Sequence, residues 1–204
     1  MSDDSMPYEK AVEETAKAAS NAVDLIREGG RAIGPAIGDI YGLLIGDKVS
    51  AARARRLEEI ARKATRILED RHVADRLELP EDIAIPLLEA AQGEPRDELQ
   101  ELWARLLANA MDPKRSNNVR AEFIETVRKF EPIDARVFFH LQTVSGDNWP
   151  VANDLAKLLS LRETAIQVSV SHLLKLNCIR GHPANPNAVR LNSFGLELLY
   201  GLEP

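Results

Sequence analysis

The 204-residue sequence is short of cysteine, of aromatic side chains and of positive charge, and each shortage excludes something. Its single cysteine, Cys178, cannot form a disulfide within the chain or build a cysteine-rich metal cluster, so a reducing compartment is expected. With Phe, Trp and Tyr together at 5%, a core must be filled mainly by Ala, Leu, Ile and Val. A formal net charge of -6 argues against a protein held on nucleic acid by bulk charge. No uncharged apolar run reaches the roughly 18 residues of a membrane span. The nearest, residues 32–46, contains Asp39 and at 1.5 Å per residue reaches only about 22 Å. The first seven residues are polar and acidic, unlike a secretory leader. The expectation is a cytoplasmic protein, with peripheral attachment to an anionic membrane as the alternative. Hydrophobic residues at 45% leave ample material for a core and exclude wholesale disorder.

What is present is concentrated. Six of the 11 glycines fall between positions 29 and 46, and five of them, Gly30, Gly34, Gly38, Gly42 and Gly46, are spaced four apart. Glycine inside a helix costs about 1 kcal/mol relative to alanine, so such a stripe needs an offsetting contact. Each step of four advances about 40° around a helix, which makes an inclined groove free of side chains. A second helix can lie in such a groove with its backbone very close. Two readings stay open: tight packing inside a soluble core, helped by the small Ala18, Ala19 and Ala22 upstream, or a glycine zipper that associates in or on a membrane. Between positions 47 and 66, seven basic residues stand against three acidic ones. Arg53, Arg55, Arg56, Arg62 and Lys63 are therefore candidate contacts to an anionic surface. The plainer reading is a solvated helix face on which Glu58 and Glu59 pair with Arg62 and Lys63 at helical spacing.

Periodicity and punctuation give a mainly α chain. Apolar spacings of three and four predict helices over 7–28 and over 48–71, the latter basic. A helix opened by Pro80-Glu81-Asp82 runs to about 92, and others cover 96–111 and 119–130. After Glu131-Pro132 the pattern changes to helices over 133–143, 153–159 and 161–176. Two short strands at 178–180 and 189–191 follow, linked by 181–187, and Ser193 is expected to cap a last helix through 199. Three helices and a hairpin suggest a winged-helix-like α+β domain at 133–204. It would follow a multi-helix domain at 1–132 that contains the glycine-spaced segment 30–46.

No catalytic constellation is visible. The four histidines have no metal-ligand spacing with each other or with Cys178, and the chain contains no dinucleotide fingerprint, phosphate loop or nucleophile elbow. A protein that is not an enzyme, with no metal and no cofactor, is expected. Within the winged-helix-like region, Arg162 and Gln167 are the candidates for base contact and Arg180 and Arg190 for phosphate contact. From residue 133 onward six basic residues face six acidic ones, so protein contact is preferred over nucleic acid.

The string LQELWARLLANAMDP at residues 99–113 resembles the bacterial abortive infection alpha family. IPLLEAA at 85–91, FIETVRKFEPIDARVF at 123–138, YEKAVEETAKA at 8–18 and the LLKLNCIR and VRLNSFGLELL segments near the end also look like that family. The resemblance implies defence against bacteriophage, in which the infected cell stops growing or dies before the phage matures. It supplies no catalytic residues. Trp103, Leu106 and Leu107 read as core anchors of this stretch, and Asn109 and Asp112 as cap or turn formers at its end. The expected partners are further copies of the same chain and a phage-derived trigger protein.

Overall fold

The computed structural model describes residues 7–27, 48–144 and 148–204. The glycine stripe from Gly30 to Gly46 lies outside the described residues. The described chain is mainly helical, with one small antiparallel sheet. Its elements are α1 (Pro7–Arg27), α2 (Lys48–Asp70), α3 (Glu81–Gly93), α4 (Asp97–Met111), a 3-10 turn (Ser116–Asn118), α5 (Ala121–Val127), α6 (Pro132–Gln142), α7 (Ala152–Leu159), α8 (Glu163–Lys175), β1 (Ile179–His182), β2 (Asn185–Leu191) and α9 (Ser193–Gly201). Contacts divide the chain between Ile124 and Glu125, inside α5. Among the described helices none is long and apolar enough to cross a membrane.

In the first unit α2 is the central element and packs on α1, α3 and α4. Its buried face is Ala54, Leu57, Ile60, Ala61, Ala64 and Leu68, a spacing that keeps one helical stripe inward. Against it α1 buries the small side chains Thr15, Ala18, Ala19 and Ala22. Helix α4 is buried over most of its circumference, with Trp103, Leu106 and Leu107 all at 1% exposure or less. Pro80 stands at the N-cap of α3, and Glu81 and Asp82 occupy the positive end of its dipole.

In the second unit α6 and α8 pack together, α7 rests on α8, β1 packs on α8 and β2 on α6. Three expectations fail here or just before. The helix expected over 119–130 is only Ala121–Val127, because Lys129 and Phe130 fold back in a tight turn whose amides donate to Thr126 and Val127 carbonyls. The hairpin link is not 181–187 but the two residues Pro183-Ala184. Asn185-Pro186-Asn187, loop-like in composition, instead belongs to an extended, irregular stretch of β2, where a proline removes no ladder bond. Ala188 then pairs with Val151, and the Val189 amide donates to the Pro150 carbonyl. The last helix is capped by Asn192 rather than Ser193: the Asn192 side chain accepts from the Gly195 amide at 2.8 Å.

Gly195 sits so close to the Cys178 carbonyl that a Cβ placed there overlaps its oxygen. Gly195→Ala is therefore expected to lower stability by about 1–3 kcal/mol in urea unfolding. Gly93→Ala meets nothing within 4 Å and should be neutral or stabilising by up to about 1 kcal/mol. Equal effects at the two positions would contradict this packing.

Candidate functional site

Strand register places Arg180 directly opposite Arg190 on the hairpin. Like charges in that position repel. Trp149 relieves this: its ring lies 5.2 Å from the Arg180 guanidinium and 5.5 Å from that of Arg190. His182 meets the same ring edge-on at 4.9 Å. The Pro150 carbonyl, bonded to β2, holds the chain next to Trp149 against the sheet. Arg180 is exposed and makes no side-chain ion pair or hydrogen bond among the described residues. Beside the two arginines an open cleft of about 490 Å³ runs to α9, where Leu196 and Tyr200 are 44% and 48% exposed. Glu203 also lines it. The arrangement offers a cationic end and an apolar wall.

A buried polar network stands elsewhere in this unit. Asp134, 2% exposed, is the N3 residue of α6, and its Oδ2 accepts from the Glu131 amide at 2.8 Å, forming a capping box with the Glu131 side chain. Ser169 Oγ donates to Asp134 Oδ1 at 2.6 Å, and His172 Nδ1 lies 2.6 Å from Oδ2. Cys178 is buried too, its S–H pointing at the Leu176 carbonyl. Burial and then the Asp134 charge push its pKa up to about 12. This thiol is therefore neither a nucleophile nor a ready metal ligand. Among the described residues no three His, Cys, Asp or Glu are grouped to hold a metal ion.

In the first unit, the end of the LQELWARLLANAMDP string closes on a second network. Arg71, at the end of α2, donates to Asn109 Oδ1 at 2.8 Å and to Asp112 Oδ2 at 3.3 Å, and both acceptors are buried. The Asp112 side chain also accepts from the Lys114 amide and lies 4.0 Å from Arg115. The cap and turn role expected of Asp112 is present, joined by an ion pair that the local sequence does not reveal.

The other sequence candidates are placed as follows. Arg53 is exposed; Arg55 pairs with Glu14 at 2.6 Å; Arg56 donates to the Gln92 carbonyl at 3.5 Å. Both i,i+4 pairs form, Arg62 with Glu58 at 2.9 Å and Lys63 with Glu59 at 3.7 Å. The groups singled out for nucleic acid are not gathered into one site. Arg162 stands at the N-cap of α8, and the Gln167 amide donates to Glu163 at 3.1 Å. Gln167 lines a separate cleft with Val151, Ser171 and Asn187, away from the one that holds Arg180 and Arg190. Trp149 and Tyr200 were not singled out in the sequence; only a lone tryptophan before a proline marked the first.

Two outcomes check these networks. Arg71→Ala leaves Asp112 and Asn109 short of a buried partner and should cost about 3 kcal/mol of unfolding free energy, whereas a loss below about 1 kcal/mol would show the pair is a surface contact in solution. For Cys178 the folded pKa is raised, so the native chain keeps a proton that the unfolded chain loses above its ordinary value. Unfolding free energy should then fall with pH between about 9 and 12, by at most about 1.4 kcal/mol per pH unit from this group. Cys178→Ala should remove that slope from the wild-type curve, and identical slopes in the two proteins would contradict the burial.

Among known families, the one described as abortive infection alpha matches residues 52–196, well over half of the chain. No curated protein and no solved structure matches.

Proposed function

Because the chain belongs to the abortive infection alpha family, we propose that it defends a bacterium against phage by abortive infection, without enzymatic chemistry, through self-association of its glycine-spaced segment. The family match carries the defence role. The four-residue glycine spacing from Gly30 to Gly46 supports assembly, since such a stripe needs a close partner helix. The small buried face of α1, which packs on α2 and contains Ala18, Ala19 and Ala22, agrees with a region built for close helix approach. Contact with an anionic membrane is an added outcome of assembly. The pairs made by Arg55, Arg62 and Lys63 lie at the surface, and such pairs are worth about 0.2–1 kcal/mol, little enough for lipid phosphate to displace them.

The second reading is an adaptor whose C-terminal unit, taken as a winged helix, binds another protein. Val168 of α8 is 71% exposed, and Leu158 of α7 is 64% exposed; an apolar side chain exposed on α8 favours protein over DNA, because a groove-reading helix needs phosphate donors around it. A phage-derived trigger protein is the proposed partner, and nucleic acid is the alternative.

Gly38→Leu and Gly42→Leu fill the groove and should reduce the wild-type mass in light scattering at micromolar concentration and abolish protection in a phage challenge. Mass and protection both unchanged would remove the assembly reading. Flotation with anionic vesicles separates the membrane arm, since assembled wild-type protein that stays with the aqueous fraction confines the mechanism to protein contacts.

A further inference from the structure

We infer that the cleft between the hairpin and α9 binds an acidic peptide segment of a partner protein, with a peptide carboxylate on Arg180 and a neighbouring apolar side chain on Leu196 and Tyr200. The inference takes its biological meaning from the adaptor reading above, but the site itself stands on geometry. Strand pairing sets two guanidiniums side by side, a costly arrangement unless something anionic or aromatic compensates. Trp149 compensates with its ring, 5.2 Å from the Arg180 guanidinium. The guanidinium keeps its N–H fork unused among the described residues, and a carboxylate is the group that such a fork binds in two parallel bonds. Leu196 and Tyr200 lie four apart on α9, so both present to the same wall of the cleft. At about 490 Å³ the cleft is of the size that binds small ligands or a few side chains.

Charge decides between peptide and nucleic acid. Residues 125–203 carry equal numbers of basic and acidic side chains, so no broad positive field tracks a phosphate backbone. A single carboxylate beside an apolar anchor fits one exposed arginine and an apolar wall.

The test uses the full-length chain on an array of decapeptides in which acidic, neutral and basic residues alternate with Leu, Phe, Ala and Ser. Retained peptides should carry Asp or Glu next to Leu or Phe. In solution the best of them should move the Trp149 indole N–H resonance and leave that of the buried Trp103 in place. Arg180→Gln should weaken it at least tenfold, Leu196→Ser should also weaken it, and Lys157→Gln on α7 should not. The inference is overturned by no retention, by retention of basic or neutral peptides, by an unmoved Trp149 signal, or by single-stranded oligothymidylate that binds more tightly at the same residues. Phage protection is read separately. A chain that protects cells but retains no peptide refutes this inference alone, and one that retains peptide but gives no protection refutes the defence reading alone.

Discussion

Burying a carboxylate costs several kcal/mol unless its oxygens are occupied, and the C-terminal unit is arranged around meeting that condition at Asp134. One oxygen takes the Glu131 amide and the His172 ring, and the other takes the Ser169 hydroxyl. The first bond fixes where α6 begins. The other two fix how α8 lies against α6, because Ser169 and His172 are three apart and so share a face of that helix. Helix α8 in turn ends at Lys175, and Asn177, a left-handed residue two positions on, turns the chain into Cys178 and β1. The hairpin that carries Arg180 and Arg190 therefore starts from a point set by a charge with almost no access to water. The same charge adds to burial in keeping Cys178 protonated.

The first unit obeys a different constraint. The small face of α1 buries little area per residue, so stability there comes from close approach to α2, which buries Leu57, Ile60 and Leu68, and from α4, which is buried nearly all round. Arg71 then ties the end of α2 to the end of α4, and the Leu77 amide bonds the Met111 carbonyl beside it. The most specific family string closes on this junction, which gives Asp112 a structural reason to be there.

Much of the fold was legible. The helices of residues 7–27, 48–70, 81–93 and 97–111 follow directly from apolar spacing and from the Pro80 and Asp112-Pro113 signals. Local rules failed where a distant partner decides. Asn185-Pro186-Asn187 has turn composition, yet it lies in β2, between the pairing of Asn185 with His182 and the bonds of Ala188 and Val189 to Val151 and Pro150. The Glu131 to Asp134 capping box has no hydroxyl at the cap to mark it in the sequence, because it uses acids at both ends. At the candidate site Arg180 and Arg190 were visible as basic residues, but their pairing needs strand register, Trp149 reaches them from 31 residues before Arg180, and Tyr200 lines the same cleft from 10 residues after Arg190. The Asp134–His172 contact spans 38 positions and leaves no local trace.

The most direct test of the Asp134 account is amide hydrogen exchange, by mass spectrometry, of Asp134→Asn against the wild-type chain. Asparagine keeps the shape but loses the charge and one acceptor. Faster exchange is predicted together in residues 131–142, 163–175 and 178–191, with 48–111 unchanged. Faster exchange confined to the first turn of α6, or no change in α8 and the hairpin, would contradict the claim that this one carboxylate organises the unit.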